Sequence, residues 1–241
     1  MTVLHLADEG EAADLAAFLS RLLHYDRSAA VRLQAAGTAL AVFGRPPSFE
    51  VLAVRTVRLA KPYEHGLDAT LDVTVSAGEL LESVDERSAT ARVPGAVTGP
   101  PWAGVLPPRG GWRAEPGLPA PEALRALVAA AVAEFRARTE ELAAEDRTRA
   151  ALDGIGRDIW SRTVGDTGLP VRAVHAAQSL GFLRPRGASG PEAGIAKGSG
   201  SGSGEDAPRL FSSGAWLRLR TPFGSVALRR AGTGALGISV R

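Results

Sequence analysis

The sequence contains no cysteine and no asparagine among its 241 residues, and its only lysines are Lys61 and Lys197. Without cysteine the chain can form no disulfide, no thiolate metal site and no cysteine nucleophile. No apolar run approaches the roughly 20 residues that a helix needs to span a bilayer. The N-terminal segment carries acidic residues where a signal peptide would carry basic ones. We therefore expect a cytoplasmic protein without a membrane partner.

Charge is distributed unevenly along the chain. Residues 1–146 contain 14 lysines and arginines against 20 aspartates and glutamates, a net charge of −6. Residues 147–241 contain 14 against 6, a net charge of +8. Such asymmetry is typical of a protein whose basic part binds an anionic partner. The alternative is that the acidic and basic halves attract each other within the molecule.

The first part of the chain has the pattern of a helix followed by a meander of strands. Asp8 and Glu11 form a capping box before apolar residues at helical spacing, and Ser76 and Glu79 form a second one. Between them, short segments alternate apolar and polar residues and are separated by glycine or proline, as in antiparallel strands. These segments are 29–37, 38–46, 49–60 and 69–75. The pattern predicts an α+β domain with an antiparallel meander sheet over residues 1–95.

Residues 96–120 form a connector rich in proline and glycine. Proline fixes φ and removes backbone donors, so extended or turn structure is expected here. Trp102 and Trp112 lie within this connector, and the apolar surface of two tryptophans favours packing against the core.

Residues 121–241 are predicted to be mainly helical at first. Pro121 suits the first turn of a long helix, whose exposed face carries acid–base pairs at four-residue spacing. These pairs are Glu134/Arg138, Arg136/Glu140 and Glu145/Arg149. A shorter helix with Leu152, Ile155 and Ile159 follows.

The end of the chain has the order helix, loop and hairpin. Gly168 and Pro170 precede a helix in the segment 167–183, and Gly181 ends it. The insert 184–209 has no core-forming pattern and is predicted to be disordered. Its alternating Gly198–Gly204 run is equally compatible with natural low complexity and with an engineered linker. Two alternating strands in 215–230 complete a winged-helix-like region, so residues 121–241 are predicted to form a basic domain of this type.

Three stretches carry a resemblance to a known family. They are PPRGGW at 107–112, LGFL at 180–183 and WLRLRTPFGSVALRR at 216–230. The C-terminal part of the chain resembles a family of uncharacterised conserved proteins from actinobacteria. The resemblance implies a bacterial cytoplasmic origin and assigns no function to any residue.

Motifs that would indicate a bound cofactor, a metal site or catalysis are weak in this sequence. The GxGxxG spacing at Gly232, Gly234 and Gly237 lacks a following helix, which a dinucleotide fingerprint requires. Glu64, His65, Asp68 and Asp72 could ligate a metal, but Gly66 marks a turn in which acidic residues are common. We expect no catalytic residue, no cofactor and no metal. An enzyme is not favoured, although acids and bases assembled by the fold remain an open alternative.

The remaining signal is a set of polar residues on two elements of the basic half. On the last helix they share one face, where they could contact base edges and phosphates, and on the hairpin they form the outer face. They are Arg172, His175, Gln178, Trp216, Arg218, Arg220 and Arg229. These residues predict a non-enzymatic, DNA-binding accessory or regulatory protein. The alternative is an adaptor that binds a protein partner or a second copy of itself without binding nucleic acid.

Overall fold

The computed structural model describes residues 2–60, 71–185 and 207–230. In these ranges the chain forms five α-helices and eleven strands, and the fold is α+β. The helices are α1 (Glu9–Tyr25), α2 (Ala77–Glu82), α3 (Pro121–Glu140), α4 (Arg149–Ser161) and α5 (Val171–Ser179).

The predicted caps are present. The Asp8 side chain accepts a hydrogen bond from the Glu11 backbone N–H at 2.9 Å, and the Ser76 hydroxyl accepts one from the Glu79 N–H at 3.4 Å. After α5, Gly181 has a φ of +76°, and the N–H of the next residue donates to the helix. These local signals therefore fix where α1 and α2 begin and where α5 ends.

The described strands form two antiparallel sheets. The larger sheet has eight strands in the order β5-β2-β3-β4-β11-β10-β9-β8, and the smaller sheet has the order β1-β7-β6. The strands are β1 (Val3–His5), β2 (Ala30–Ala36), β3 (Ala39–Gly44), β4 (Leu52–Arg58), β5 (Leu71–Ser76), β6 (Val84–Asp85), β7 (Thr90–Arg92), β8 (Arg113–Glu115), β9 (Arg209–Ser213), β10 (Trp216–Thr221) and β11 (Gly224–Arg229).

The larger sheet joins the two halves of the chain. The meander strands β2, β3, β4 and β5 match the predicted segments, and β11 pairs with β4 through Val226 opposite Ala53. Strands from residues 1–95 and 121–241 therefore share one sheet. The connector 96–120 contributes β8 to its edge.

The inner face of the sheet packs against the helices. In the main core, buried residues of α1 and α5 join inward-facing strand residues such as Leu33, Leu219 and Val226. Phe182, which follows α5, stacks on Phe18 of α1 with ring centroids 5.7 Å apart. A Cβ on Gly224, whose φ is +153°, would lie 2.5 Å from the Phe182 ring. Only glycine at 224 therefore lets this ring close over the β10–β11 turn.

The connector covers part of the opposite, outer face. There Phe43, Leu52 and Val54 form a small buried cluster against which Trp102 and Leu106 pack. The expectation that Trp102 lies against the core is met by this cluster. An Arg32 guanidinium nitrogen donates to the Ala103 carbonyl, which ties the 3-10 helix Pro101–Gly104 to β2.

Several details differ from the sequence predictions. The pair Glu145/Arg149 does not lie on one helix, because α3 ends at Glu140 and α4 begins at Arg149; Arg149 instead lies 3.8 Å from Asp153. The hairpin of β10 and β11 does follow α5, but it is not a free wing, because β11 pairs with β4 and β10 with β9. None of the helices in the described ranges is long and apolar enough to cross a membrane.

Arg184 and Arg209, at the two ends of the predicted insert 184–209, have contacts in the described fold. Arg184 forms an ion pair with Asp14 at 2.5 Å and lies 4.0 Å above the Phe223 ring. Arg209 begins β9. Residues 186–206, with the Gly198–Gly204 run, lie outside the described residues.

Candidate anion-binding surface

The outer face of the β10–β11 hairpin carries arginine and tryptophan. Leu217 and Leu219 are buried on the inner face, and the residues between them alternate outward because successive side chains in a strand point to opposite faces. The predicted residues on the outer face of the hairpin are Trp216, Arg218, Arg220 and Arg229. Trp216 lies directly opposite Arg229, whose guanidinium carbon is 6.0 Å from its ring.

Arg218 is half-buried in this face. Its Nε donates to the Ser225 hydroxyl at 3.0 Å, and its guanidinium carbon lies 5.7 Å from the Trp112 ring centroid. Burial, and secondarily the positive charge of Arg220, lowers the pKa of Arg218 below its ordinary value. The guanidinium remains charged at neutral pH, since arginine keeps its proton in proteins. Arg218 is therefore a partly desolvated cation beside a second cation.

Arg209 adds a third guanidinium to the same face. Arg209 on β9 lies directly opposite Arg220 on β10, and both side chains are exposed. Residues directly opposite in an antiparallel pair point to the same face, and like charges there are unfavourable. No carboxylate within the described ranges lies at ion-pairing distance from Arg209, Arg218 or Arg220. We call these three residues the arginine cluster.

A cavity lies beside the arginine cluster. Its volume is about 330 Å³, within the range of small-molecule sites. We call it the hairpin cavity; its lining residues are Thr56, Trp112, Phe211, Arg218, Arg220, Thr221, Pro222, Gly224 and Ser225. Cationic, hydroxyl and aromatic groups thus face one space, which suits a ligand that combines an anion with a ring.

The three predicted residues on α5 lie elsewhere. Arg172 lies 3.4 Å from the Glu50 carboxylate, and Gln178 is exposed. His175 is half-buried, stacked on Trp160 with ring centroids 4.5 Å apart and in edge contact with Phe49. Five of the nine residues of α5 are buried. The prediction of a polar recognition face on α5 is thus corrected for His175, because this ring packs between aromatic neighbours.

A second cavity lies where the connector meets the end of the hairpin. Its volume is about 460 Å³. We call it the junction cavity; its lining residues are Arg45, Glu50, Val51, Leu52, Pro101, Trp102, Val105, Arg172, Trp216, Ala227, Leu228 and Arg229. It brings together Arg172, Trp216 and Arg229 from the predicted set.

Part of the charge asymmetry is balanced within the molecule. Four arginines of the basic half contact acids of the acidic half, and these pairs are Arg162 with Glu134, Arg172 with Glu50, Arg184 with Asp14 and Arg230 with Glu115. The arginine cluster takes no part in such pairing within the described ranges. Intramolecular attraction therefore accounts for some of the basic residues and leaves this cluster unexplained.

The residues considered for metal binding are largely outside the described ranges. Glu64, His65 and Asp68 lie there, as do Gly232, Gly234 and Gly237 of the GxGxxG spacing. Asp72 is described and forms an ion pair with Arg32 at 2.7 Å. Hydrogen bonds from Arg32 and Gln34 lower the pKa of Asp72, so this carboxylate is held in its charged form by β2.

Sequence reasoning missed Arg209 of the arginine cluster and Phe211 of the hairpin cavity. Arg209 and Phe211 were assigned to the insert or left without a role, although RLF at 209–211 alternates and the Ser213–Gly214 step marks a turn before β10. That alternation was the available signal for β9. Trp112 was expected against the core; it is half-buried, and its indole N–H donates to the Pro108 carbonyl at 3.0 Å.

Two family models match the chain. One is described as a domain of unknown function (DUF8010) and matches residues 1–104. The other is described as a domain of unknown function (DUF8185) and matches residues 107–233, more than half of the chain. The chain belongs to the DUF8185 family. No curated protein matches it.

The family match agrees with the resemblance to an uncharacterised family. The DUF8185 segment contains Trp112 and the whole arginine cluster. The junction cavity, in contrast, takes Arg45 and Trp102 from the DUF8010 segment and Arg172 and Trp216 from the DUF8185 segment. The arginine cluster therefore lies wholly within the DUF8185 segment, while the junction cavity is lined by residues of both segments.

Proposed function

We propose that the protein binds single-stranded nucleic acid through the outer face of its C-terminal strands, as a non-enzymatic accessory or regulatory protein. The observation that carries the proposal is the cross-strand pair of Arg209 and Arg220, which has no carboxylate partner in the described ranges and lies beside Arg218. Like charges facing each other across a strand pair destabilise the free protein. Phosphates bound between them would turn this repulsion into attraction.

The aromatic groups beside the arginine cluster favour a nucleic acid over a simple anion. Trp112 and Phe211 line the hairpin cavity with Arg218 and Arg220. Proteins that bind single strands combine a positively charged surface with aromatic side chains on which bases stack. The Ser225 hydroxyl accepts a hydrogen bond from Arg218 and keeps its proton to donate to a phosphate or a base, whereas the Thr221 hydroxyl donates to the Gly224 carbonyl.

The same geometry disfavours duplex DNA. Reading a duplex in its major groove requires a free helix or a two-stranded ribbon that fits about 12 Å of groove width. In this protein α5 is packed into the core, and the hairpin lies between β4 and β9 in a broad sheet. A broad sheet face can instead accept splayed bases of a single strand. Single-stranded DNA or RNA is therefore the ligand that the surface fits best.

The direct test is fluorescence anisotropy with a labelled single-stranded oligonucleotide over a series of salt concentrations, beginning near about 50 mM. The variant R209Q/R218Q/R220Q removes the arginine cluster. We expect it to bind more weakly, and the slope of log affinity against log salt to fall by about 2, because each neutralised phosphate contributes roughly 0.7 for single strands.

The matched control is R27Q/R87Q/R92Q, which removes the same charge from exposed arginines that line neither the hairpin cavity nor the junction cavity. It should keep nearly the wild-type affinity. Absence of binding at low salt, or an equal loss in the control, would refute nucleic-acid binding by this surface. Equal affinity for a duplex of the same sequence would refute the preference for single strands.

A further inference from the structure

The junction cavity has features that the nucleic-acid proposal does not use. We infer that it binds a small organic anion with a flat apolar body, and that Glu50 occupies the position of the anion when the ligand is absent. This inference does not depend on the proposed function. It rests on the charges, the walls and the backbone of the cavity.

The charges around the cavity are unbalanced. Arg45, Arg172 and Arg229 line it, and Glu50 is the single acidic residue among the lining residues. Arg45 and Arg229 are exposed and have no carboxylate at ion-pairing distance in the described part of the chain. A ligand with one or two negative charges would balance this site.

The contact between Arg172 and Glu50 is incomplete. The Nε of Arg172 lies 3.4 Å from a Glu50 oxygen, yet this buried nitrogen has no hydrogen-bond partner of good geometry among the described residues. A buried donor without a partner is unfavourable. The Glu50 side chain remains 70% exposed, so this carboxylate can move away without losing a buried environment. A better-placed anion would therefore complete the hydrogen bonding of Arg172 and displace Glu50.

The backbone that carries Glu50 is strained. Ser48 and Glu50 have φ values of +70° and +52°. Residues other than glycine rarely adopt φ values in this region, and such backbone strain is frequent at ligand sites. Phe49, between them, is buried in edge contact with Tyr25 and His175, and this packing secures the loop.

The walls of the cavity are flat and apolar. Trp102 approaches from the connector and Trp216 from β10, while Val105 is the most exposed large hydrophobic residue of the described part, at 52%. A cavity of about 460 Å³ accommodates a ring system or a short acyl group. It also lies between the two family segments, and junctions of this kind are common ligand sites.

The probe is anilinonaphthalene sulfonate, an aromatic anion whose fluorescence rises in apolar sites. We expect saturable binding at the junction cavity. Any second site in the hairpin cavity is removed in R209Q/R218Q/R220Q, in which binding at the junction cavity should persist. R45Q/R229Q should weaken it by at least about tenfold, since hydrogen bonds to charged groups contribute about 1.5–3 kcal/mol. Both arginines are exposed, so the fold should be retained. E50Q should tighten binding by roughly threefold or more, because the competing carboxylate is removed.

Three controls make the result specific. R87Q/R92Q should match the wild-type affinity, and so should R209Q/R218Q/R220Q, because the arginine cluster does not line the junction cavity. Adenosine monophosphate should displace the probe at lower concentration than inorganic phosphate. Equal probe affinity in R45Q/R229Q and in the wild type, or no effect of E50Q on that affinity, would overturn the inference that the junction cavity binds an anion. If inorganic phosphate displaced the probe as effectively as adenosine monophosphate, the inference that the ligand needs a flat apolar body would be overturned.

Discussion

Arg209 and Arg220 lie directly opposite each other on β9 and β10, with both guanidinium groups on the outer face of the sheet. The strand arginines Arg32, Arg55 and Arg58 each have a carboxylate partner, for example Arg32 with Asp72 and Arg58 with Glu11. The Arg209–Arg220 pair has none in the described ranges. The free protein therefore carries a repulsion that a bound polyanion would remove.

This repulsion predicts that loss of one arginine stabilises the free protein. In a low-salt buffer, Arg209→Gln should raise the free energy of unfolding by about 0.5 kcal/mol, the size of a cross-strand charge effect. At about 1 M salt the gain should disappear, because the Debye length falls to roughly 3 Å. Thermal unfolding at both salt concentrations measures this. Arg87→Gln, between β6 and β7 of the smaller sheet, should show no such gain. A lower stability of Arg209→Gln than of the wild type at low salt would contradict the expected repulsion.

Trp112 should be more important for stability than its neighbour Arg109. Its ring is half-buried, its indole N–H bonds to Pro108, and the Arg218 guanidinium lies above it. Because a buried tryptophan truncation costs about 3–5 kcal/mol, we expect Trp112→Ala to lose about 2 kcal/mol. Arg109 is exposed, and its substitution by alanine should have little effect. Denaturant titration of both variants measures the loss in the free energy of unfolding. Equal small losses would show that the packing of the connector does not depend on this ring.

A buried arginine joins the two halves of the molecule. Arg55 on β4 is 6% exposed, forms ion pairs with Glu11 and Asp14 of α1 and donates to the Phe223 carbonyl in the β10–β11 turn at 2.7 Å. Removing one partner of a buried pair costs about 3–5 kcal/mol when the other charge is left uncompensated. Glu11 and Asp14 keep Arg58 and Arg184 as partners, so Arg55→Ala should destabilise the protein by about 2 kcal/mol, mainly through the hydrogen bonds that are lost.

Arg58 supplies a matched comparison on the same strand. It also contacts Glu11, but its side chain is 67% exposed. Because exposed ion pairs contribute little, Arg58→Ala should change the midpoint of urea unfolding much less than Arg55→Ala. Similar shifts in the two variants would mean that the burial of Arg55 is not what makes it important.

Local elements of the fold could be predicted from the sequence, because their signals are local. The Asp8 cap and the alternation in β2, β3 and β4 depend on neighbouring residues, and each predicts its element correctly. The pairing of β11 with β4 is different: it joins Ser225 to Val54, far apart in the chain. Nothing in the sequence of either strand identifies its partner, so the sequence predicts the hairpin but not its pairing with the meander strands.

The candidate site, like the fold, could be predicted from the sequence only where its signals are local. Alternation in WLRLR placed Trp216, Arg218 and Arg220 on one face. The position of Arg209 depends on the register of β9, and that of Trp112 on where the connector crosses the sheet. On α5, the spacing of Arg172 and His175 correctly describes a shared side of a helix, but whether that side meets solvent or Trp160 depends on how α4 packs.

His175 should make the stability of the protein depend on pH. Its ring lies against Trp160 and Phe49, and burial lowers the pKa of His175 in the folded state. The unfolded chain, with a histidine pKa of about 6.5, then binds more protons than the folded protein as the pH falls below that value. The contribution to stability is therefore fully present above about pH 6.5 and is lost as the pH falls toward the folded pKa. In His175→Phe, which keeps the aromatic stack, the free energy of unfolding measured by urea titration between about pH 5 and 7 should vary less than in the wild type. His24→Phe replaces an exposed histidine and should keep the wild-type slope; an unchanged slope in His175→Phe would assign the pH dependence to other groups.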